Sequence, residues 1–139
     1  MTLQFRYSGL IVSDVPRTVD FYERAFGFSL RYLHPSSGYA ELETGETLLA
    51  FIAEAFIDQT ALLGELPYGR SRADADTAPP QVVALVSGDL AGDWDRATEA
   101  GASVVKLPEA KPWGQTTGYL RDCNGMIVEL CTRSPRDAA

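Results

Sequence analysis

The chain has one histidine, His34, in 139 residues. A lone imidazole excludes the histidine clusters that hold catalytic metals. It also leaves no Ser-His-Asp or Cys-His arrangement, because His34 stands beside a turn-forming Pro35-Ser36-Ser37-Gly38. There are two cysteines, Cys123 and Cys131, too few for a disulfide scaffold. Positive charge is scarce: 12 Lys and Arg against 19 Asp and Glu, a net charge of -7. No basic stripe exists to neutralise phosphates, which argues against nucleic acid and against an anionic membrane surface. No apolar run approaches the roughly 20 residues that a membrane span needs. Glycine-rich phosphate loops are missing, and residues 1–15 lack an apolar core with a cleavage site. The expectation is a cytoplasmic protein with reduced thiols and no membrane or nucleic-acid partner.

What is there is an ordinary globular composition, 45% hydrophobic and 22% charged, and a pattern written twice. Leu10-Ile11-Val12-Ser13-Asp14-Val15 opens the first half and Leu85-Val86-Ser87-Gly88-Asp89-Leu90 the second. Each is followed by a helix-like stretch ending at glycine, Gly27 and Gly101. Gly38-Tyr39 with Gly45 is answered by Gly118-Tyr119 with Gly125, at the same spacing. Such a repeat marks two copies of one supersecondary unit.

Each half reads β-α-β-β-β. The first has a strand over 4–13, a helix over 18–26 with Val19, Tyr22, Ala25 and Phe26 at helical spacing, and strands over 28–33, 39–42 and 47–52. Pro16 suits the first helical turn and Gly27 a left-handed C-cap. The second has a strand over 81–87, a helix over 90–100, strands over 103–107, 116–121 and 126–132, and a loop over 108–114. Asn124-Gly125 between apolar runs signals a hairpin. Asp14 and Asp89 stand at helix N-termini and read as structural. The chain therefore reads as one domain over 1–139: module one at 4–54, a linker or flap at 55–79 opening on a short helix, and module two at 80–132. A polar tail closes it at 133–139.

Phe21-Tyr22-Glu23-Arg24-Ala25-Phe26-Gly27-Phe28 and the closing Gly118-Tyr119-Leu120-Arg121-Asp122-Cys123-Asn124-Gly125-Met126-Ile127-Val128-Glu129-Leu130, within this doubled pattern, resemble the vicinal oxygen chelate superfamily. Its members include glyoxalase I, extradiol dioxygenases and bleomycin-type resistance proteins. The resemblance covers residues 4–132. It implies an α+β fold in which two tandem βαβββ modules form an eight-stranded cup, with helices on the convex face. Metal-using members carry ligands on the first and fourth strands of each module. Those positions fall here on Tyr7, Val82, Leu49 or Ala50, and Glu129. Three of the four are lost, and a divalent metal needs three or more protein donors, so metal-dependent glyoxalase or dioxygenase chemistry is disfavoured. Gln81 is one residue out of register, on the other face of its strand.

Glu129 remains, mid-strand among apolar neighbours. It reads as an acceptor or counter-ion for a polar or cationic ligand, as a general base, or as the partner of an internal Arg6 or Arg121. Trp113, in Pro112-Trp113-Gly114, reads as a pocket rim, or as a residue that packs a dimer contact or plugs its own loop. By alternation Tyr7, Tyr39, Phe51 and Tyr119 should face the cup, and Cys131 shares the face of Glu129. Together these seven residues describe a mainly apolar, aromatic pocket.

The expected function is a metal-free, cofactor-free small-molecule-binding protein of the bleomycin-resistance type. It would sequester an aromatic or cationic compound, in an antibiotic-resistance setting. The alternative is a glyoxalase-like lyase or isomerase, or a dioxygenase-type enzyme, with Glu129 as base or metal ligand. A homodimer is expected, the cup closing within one chain or across two.

Overall fold

The computed structural model describes residues 2–70 and 76–137. The middle of the expected linker, 71–75, and the end of the tail, 138–139, lie outside the described residues. The order is β1 (Tyr7–Val12), α1 (Val15–Phe26), β2 (Ser29–Leu33), β3 (Tyr39–Glu43), β4 (Leu48–Ala53), α2 (Glu54–Thr60), β5 (Val82–Val86), α3 (Leu90–Glu99), β6 (Ser103–Ala110), β7 (Thr116–Arg121) and β8 (Ile127–Cys131). Two four-stranded sheets result, ordered β1-β4-β3-β2 and β5-β8-β7-β6. Each pairs its first and last strands in parallel and the others antiparallel. The fold is α+β, two βαβββ modules in tandem. Contacts divide the chain into two compact units, one for each module, with Arg24–Phe26 of α1 grouped with the second.

In the first unit, α1 starts at Asp14, whose carboxylate accepts from the Arg17 amide, and ends at Gly27 in the left-handed region. Its Tyr22 ring packs 4.9 Å from Phe51, and both are fully buried. Leu10, Val12, Ala40 and Leu42 share that buried layer. The strand period of two turns Tyr7, Tyr39, Glu41, Ala50 and Ile52 to the opposite face. The chain after α2 folds back on it: Arg70 pairs with Glu54 and Asp58 at 3.5 and 3.3 Å and stacks on Tyr68.

The second unit repeats the construction. Asp89 caps α3 by accepting from Gly92. Trp94 of α3 covers Gly118 of β7 so closely that a Cβ there would stand 2.5 Å from its ring. Leu120, Val128 and Leu130 fill this face, and Tyr119, Glu129 and Cys131 take the other.

Several boundaries differ from expectation, among them the start of α1, at Val15 and not at 18. β1 begins at Tyr7, since the residues before it have no strand partner. β6 runs through Pro108 to Ala110, which an edge strand permits because its outer N–H groups need no partner. The tail forms a short 3-10 turn at Pro135–Asp137 beside the buried Ser134.

Candidate functional site

Glu129 sits on β8 opposite Ala84 of β5 and Tyr119 of β7. The Tyr119 hydroxyl donates to its Oε1 at 2.7 Å. That bond to a carboxylate, with burial second, holds the Tyr119 proton more tightly than usual. Cys131, two residues along, is 3% exposed. Burial first, then Glu129, pushes its thiol up to about 11. Thr117, also buried, lies opposite Cys131. Neither arginine expected as a partner serves Glu129. Arg121 donates to the Gly125 carbonyl at 3.1 Å, and Arg6 approaches Glu41 instead. The nearest cation along that row of strands, Lys106, is tied to Glu109 at 2.9 Å. Among the described residues, no lysine or arginine pairs with Glu129.

The first unit holds a parallel arrangement that the sequence reading missed. Tyr39 donates to Glu41 Oε2 at 2.6 Å, both on β3. Burial, then the bond to Glu41, raises the Tyr39 pKa well above that of a free phenol. Tyr7 and Tyr32 stand beside Tyr39, with ring centroids at 5.9 and 6.3 Å. The signal for Glu41 was present: an ionisable residue two positions from Tyr39, on the same face of β3.

Phe51 corrects the expected alternation. It faces α1, away from Tyr7 and Tyr39, because its partner across β3 is Ala40 and not Tyr39. The same register separates Leu49 from Ala50: Leu49 pairs with Leu42 in the layer under α1, and Ala50, also buried, shares the opposite face with Glu41. Trp113 lies between β6 and β7, 59% exposed, its indole donating to Gln115 at 3.0 Å. His34 braces its own turn, its Nδ1 accepting from the Ser36 amide at 3.1 Å.

The family's metal positions were tested against these side chains. In the first unit those positions hold Tyr7 and Ala50, a phenol and a methyl group, and in the second Val82 and Glu129, an alkyl group and a single carboxylate; neither set fits a divalent ion. Glu43, an alternative donor, is taken by Arg31 at 2.9 Å. Among the described residues, no three His, Cys, Asp or Glu side chains gather to hold a metal.

The family model of the glyoxalase/bleomycin resistance protein/dioxygenase superfamily matches residues 4–130. No curated protein matches the sequence. Among solved structures, a glyoxalase-related enzyme from Fulvimarina pelagi is similar with a TM-score of 0.75 at 20% identity, covering 94% of this chain and 88% of the other. TioX from Micromonospora sp. ML1 is similar with a TM-score of 0.68 at 27% identity, covering 94% and 98%. A superfamily member from Nocardioides has a TM-score of 0.71 at 20% identity, covering 97% and 89%.

Proposed function

The chain belongs to the glyoxalase/bleomycin resistance protein/dioxygenase superfamily, and from that premise we propose that it is a metal-independent binding protein that sequesters an organic cation carrying an aromatic group. The observation that carries this reading is Glu129: a carboxylate held by the Tyr119 hydroxyl, with no lysine or arginine paired to it among the described residues. Ile127 and Cys131 flank it on the same face. A partly desolvated, unneutralised carboxylate favours a cationic guest over water, and nearby aromatic faces add to that preference. The net charge of -7 draws cations to the protein generally. Trp113, exposed at a loop, is the candidate rim for a flat ligand. The lyase and dioxygenase readings lack a donor set for a metal that would polarise substrate oxygens.

The test is a titration with benzyltrimethylammonium chloride, followed by amide NMR with sodium chloride at matched concentration as the blank. Saturable shifts at residues 127–131 are expected. Glu129→Gln, which keeps the shape and removes the charge, should weaken them by about tenfold or more. Equal affinity in the variant would overturn the reading.

A further inference from the structure

Glu41 is a buried carboxylate: its side chain is 9% exposed. A carboxylate in that position needs several short hydrogen bonds to offset lost hydration. Among the described residues it has one, from Tyr39 at 2.6 Å. Its two arginine contacts are long, 3.5 Å from Arg31 Nε and 3.9 Å from Arg6 Nη2. The short bond of Arg31 goes to Glu43 instead, at 2.9 Å. Arg6 is 63% exposed and precedes β1, where no strand partner holds it. It also borders a cavity of about 550 Å³, lined with Arg31, Glu43, Glu46, Phe5 and Leu48. The Tyr39 ring that bonds the carboxylate is flanked by Tyr7 and Tyr32, with Tyr32 opposite Glu41 in the strand register. Tyr7 and Tyr32 are 37% and 44% exposed, so their faces are open to a guest. A carboxylate beside tyrosine rings is the chemistry that recognises alkylated ammonium groups.

We propose that Glu41, with Tyr7, Tyr32 and Tyr39, is a second organic-cation site, and that the Arg6 guanidinium is its resident placeholder, displaced when an ammonium ligand enters. The inference takes its ligand class from the reading above and is otherwise independent of Glu129. It makes the chain a carrier of two cationic groups, one on the face of each sheet opposite its helix. Arg31 stays in place, fixed by Glu43 at 2.9 Å.

The same titration with benzyltrimethylammonium chloride separates the two sites. Wild-type protein should show two independent saturable sets of shifts, at 39–43 and at 127–131. Glu41→Gln should weaken the first set by about tenfold or more and leave the second, which also reports that the variant is folded. Arg6→Ala, an exposed change, should tighten the first set by about threefold, the scale of one weak surface ion pair, and leave the second unchanged. Shifts at 127–131 alone would overturn the second site and leave the Glu129 reading standing. Shifts at 39–43 alone would overturn the Glu129 reading and support Glu41. No saturable shift at either place would overturn both. An Arg6→Ala variant with unchanged first-site affinity would overturn the placeholder role.

Discussion

A phenol donating to a carboxylate fixes the orientation of both, and among the described residues this chain does it three times, at Tyr39 with Glu41, at Tyr119 with Glu129 and, outside the sheets, at Tyr68 with Asp58. In each pair the tyrosine keeps its proton beyond the usual range, so it acts as a donor and not as a base. Cys131 behaves alike: burial lifts it from 9.0 to about 11. These shifts have a sign for stability. The unfolded chain releases the thiol proton near pH 9, whereas the folded chain holds it until about 11. Between those values the unfolded state binds fewer protons, so stability falls as pH rises. Tyr119 and Tyr39 extend the fall further into alkali. The melting temperature should therefore drop as pH is raised from 9 to 11, and Cys131→Ala should make that slope shallower. A wild-type melting temperature flat across the window would contradict the buried thiol. Such proton affinities are not legible from residue type, because the thiol is raised by what stands next to it in space.

At the scale of elements, each Gly-Tyr pair shows why the repeat has the form it has. The tyrosine faces the carboxylate, and the glycine before it lies under an aromatic ring on the other side of the strand. Gly38 is covered by Phe56 and Gly118 by Trp94. A methyl group at Gly118 would meet the Trp94 ring at 2.5 Å and Pro108 at 3.0 Å, pushing α3 off its sheet. Gly118→Ala should cost about 1–3 kcal/mol in denaturant unfolding, the usual range for overpacking. Gly88→Ala, with nothing within 4 Å of the new group, is the control and should change stability by no more than about 0.5 kcal/mol. The helix caps and the Asn124-Gly125 turn were readable beforehand because they are satisfied locally. Asp122 accepts from the Asn124 and Met126 amides at 2.8 and 2.9 Å, and Gly125 takes the positive φ that the turn demands. The passage of β6 through Pro108 was not, since proline marks a break unless the strand is known to be an edge.

At the scale of the whole molecule, apolar side chains remain open on the edge strands of the second unit: Val82 and Val86 on β5, and Val104, Val105 and Leu107 on β6. Open strand edges of this kind invite pairing with another chain. The expected species is a homodimer, seen by native mass spectrometry at about twice 15.1 kDa in protein purified without added metal or chelator. A retained organic adduct would support sequestration. A monomer would refute the dimer, and a stoichiometric divalent metal would refute the metal-independent reading.

The sequence by itself determined the doubled β-α-β-β-β order, the two aspartate caps, the closing turn and the presence of Glu129 on the last strand. These depend on neighbours three or four residues apart, or on a strand period that any window of the chain displays. Only the tertiary structure decided which strand parity meets the helix. Alternation says that Tyr39 and Glu41 share a face; it does not say whether Phe51 or Ile52 joins them. The register of β3 against β4 gives that place to Ile52 and sends Phe51 to Tyr22. The same holds for charge. Arg6 was free in sequence to serve Glu129, yet its partner is Glu41, because an ion pair is set by which strands lie side by side and not by distance along the chain.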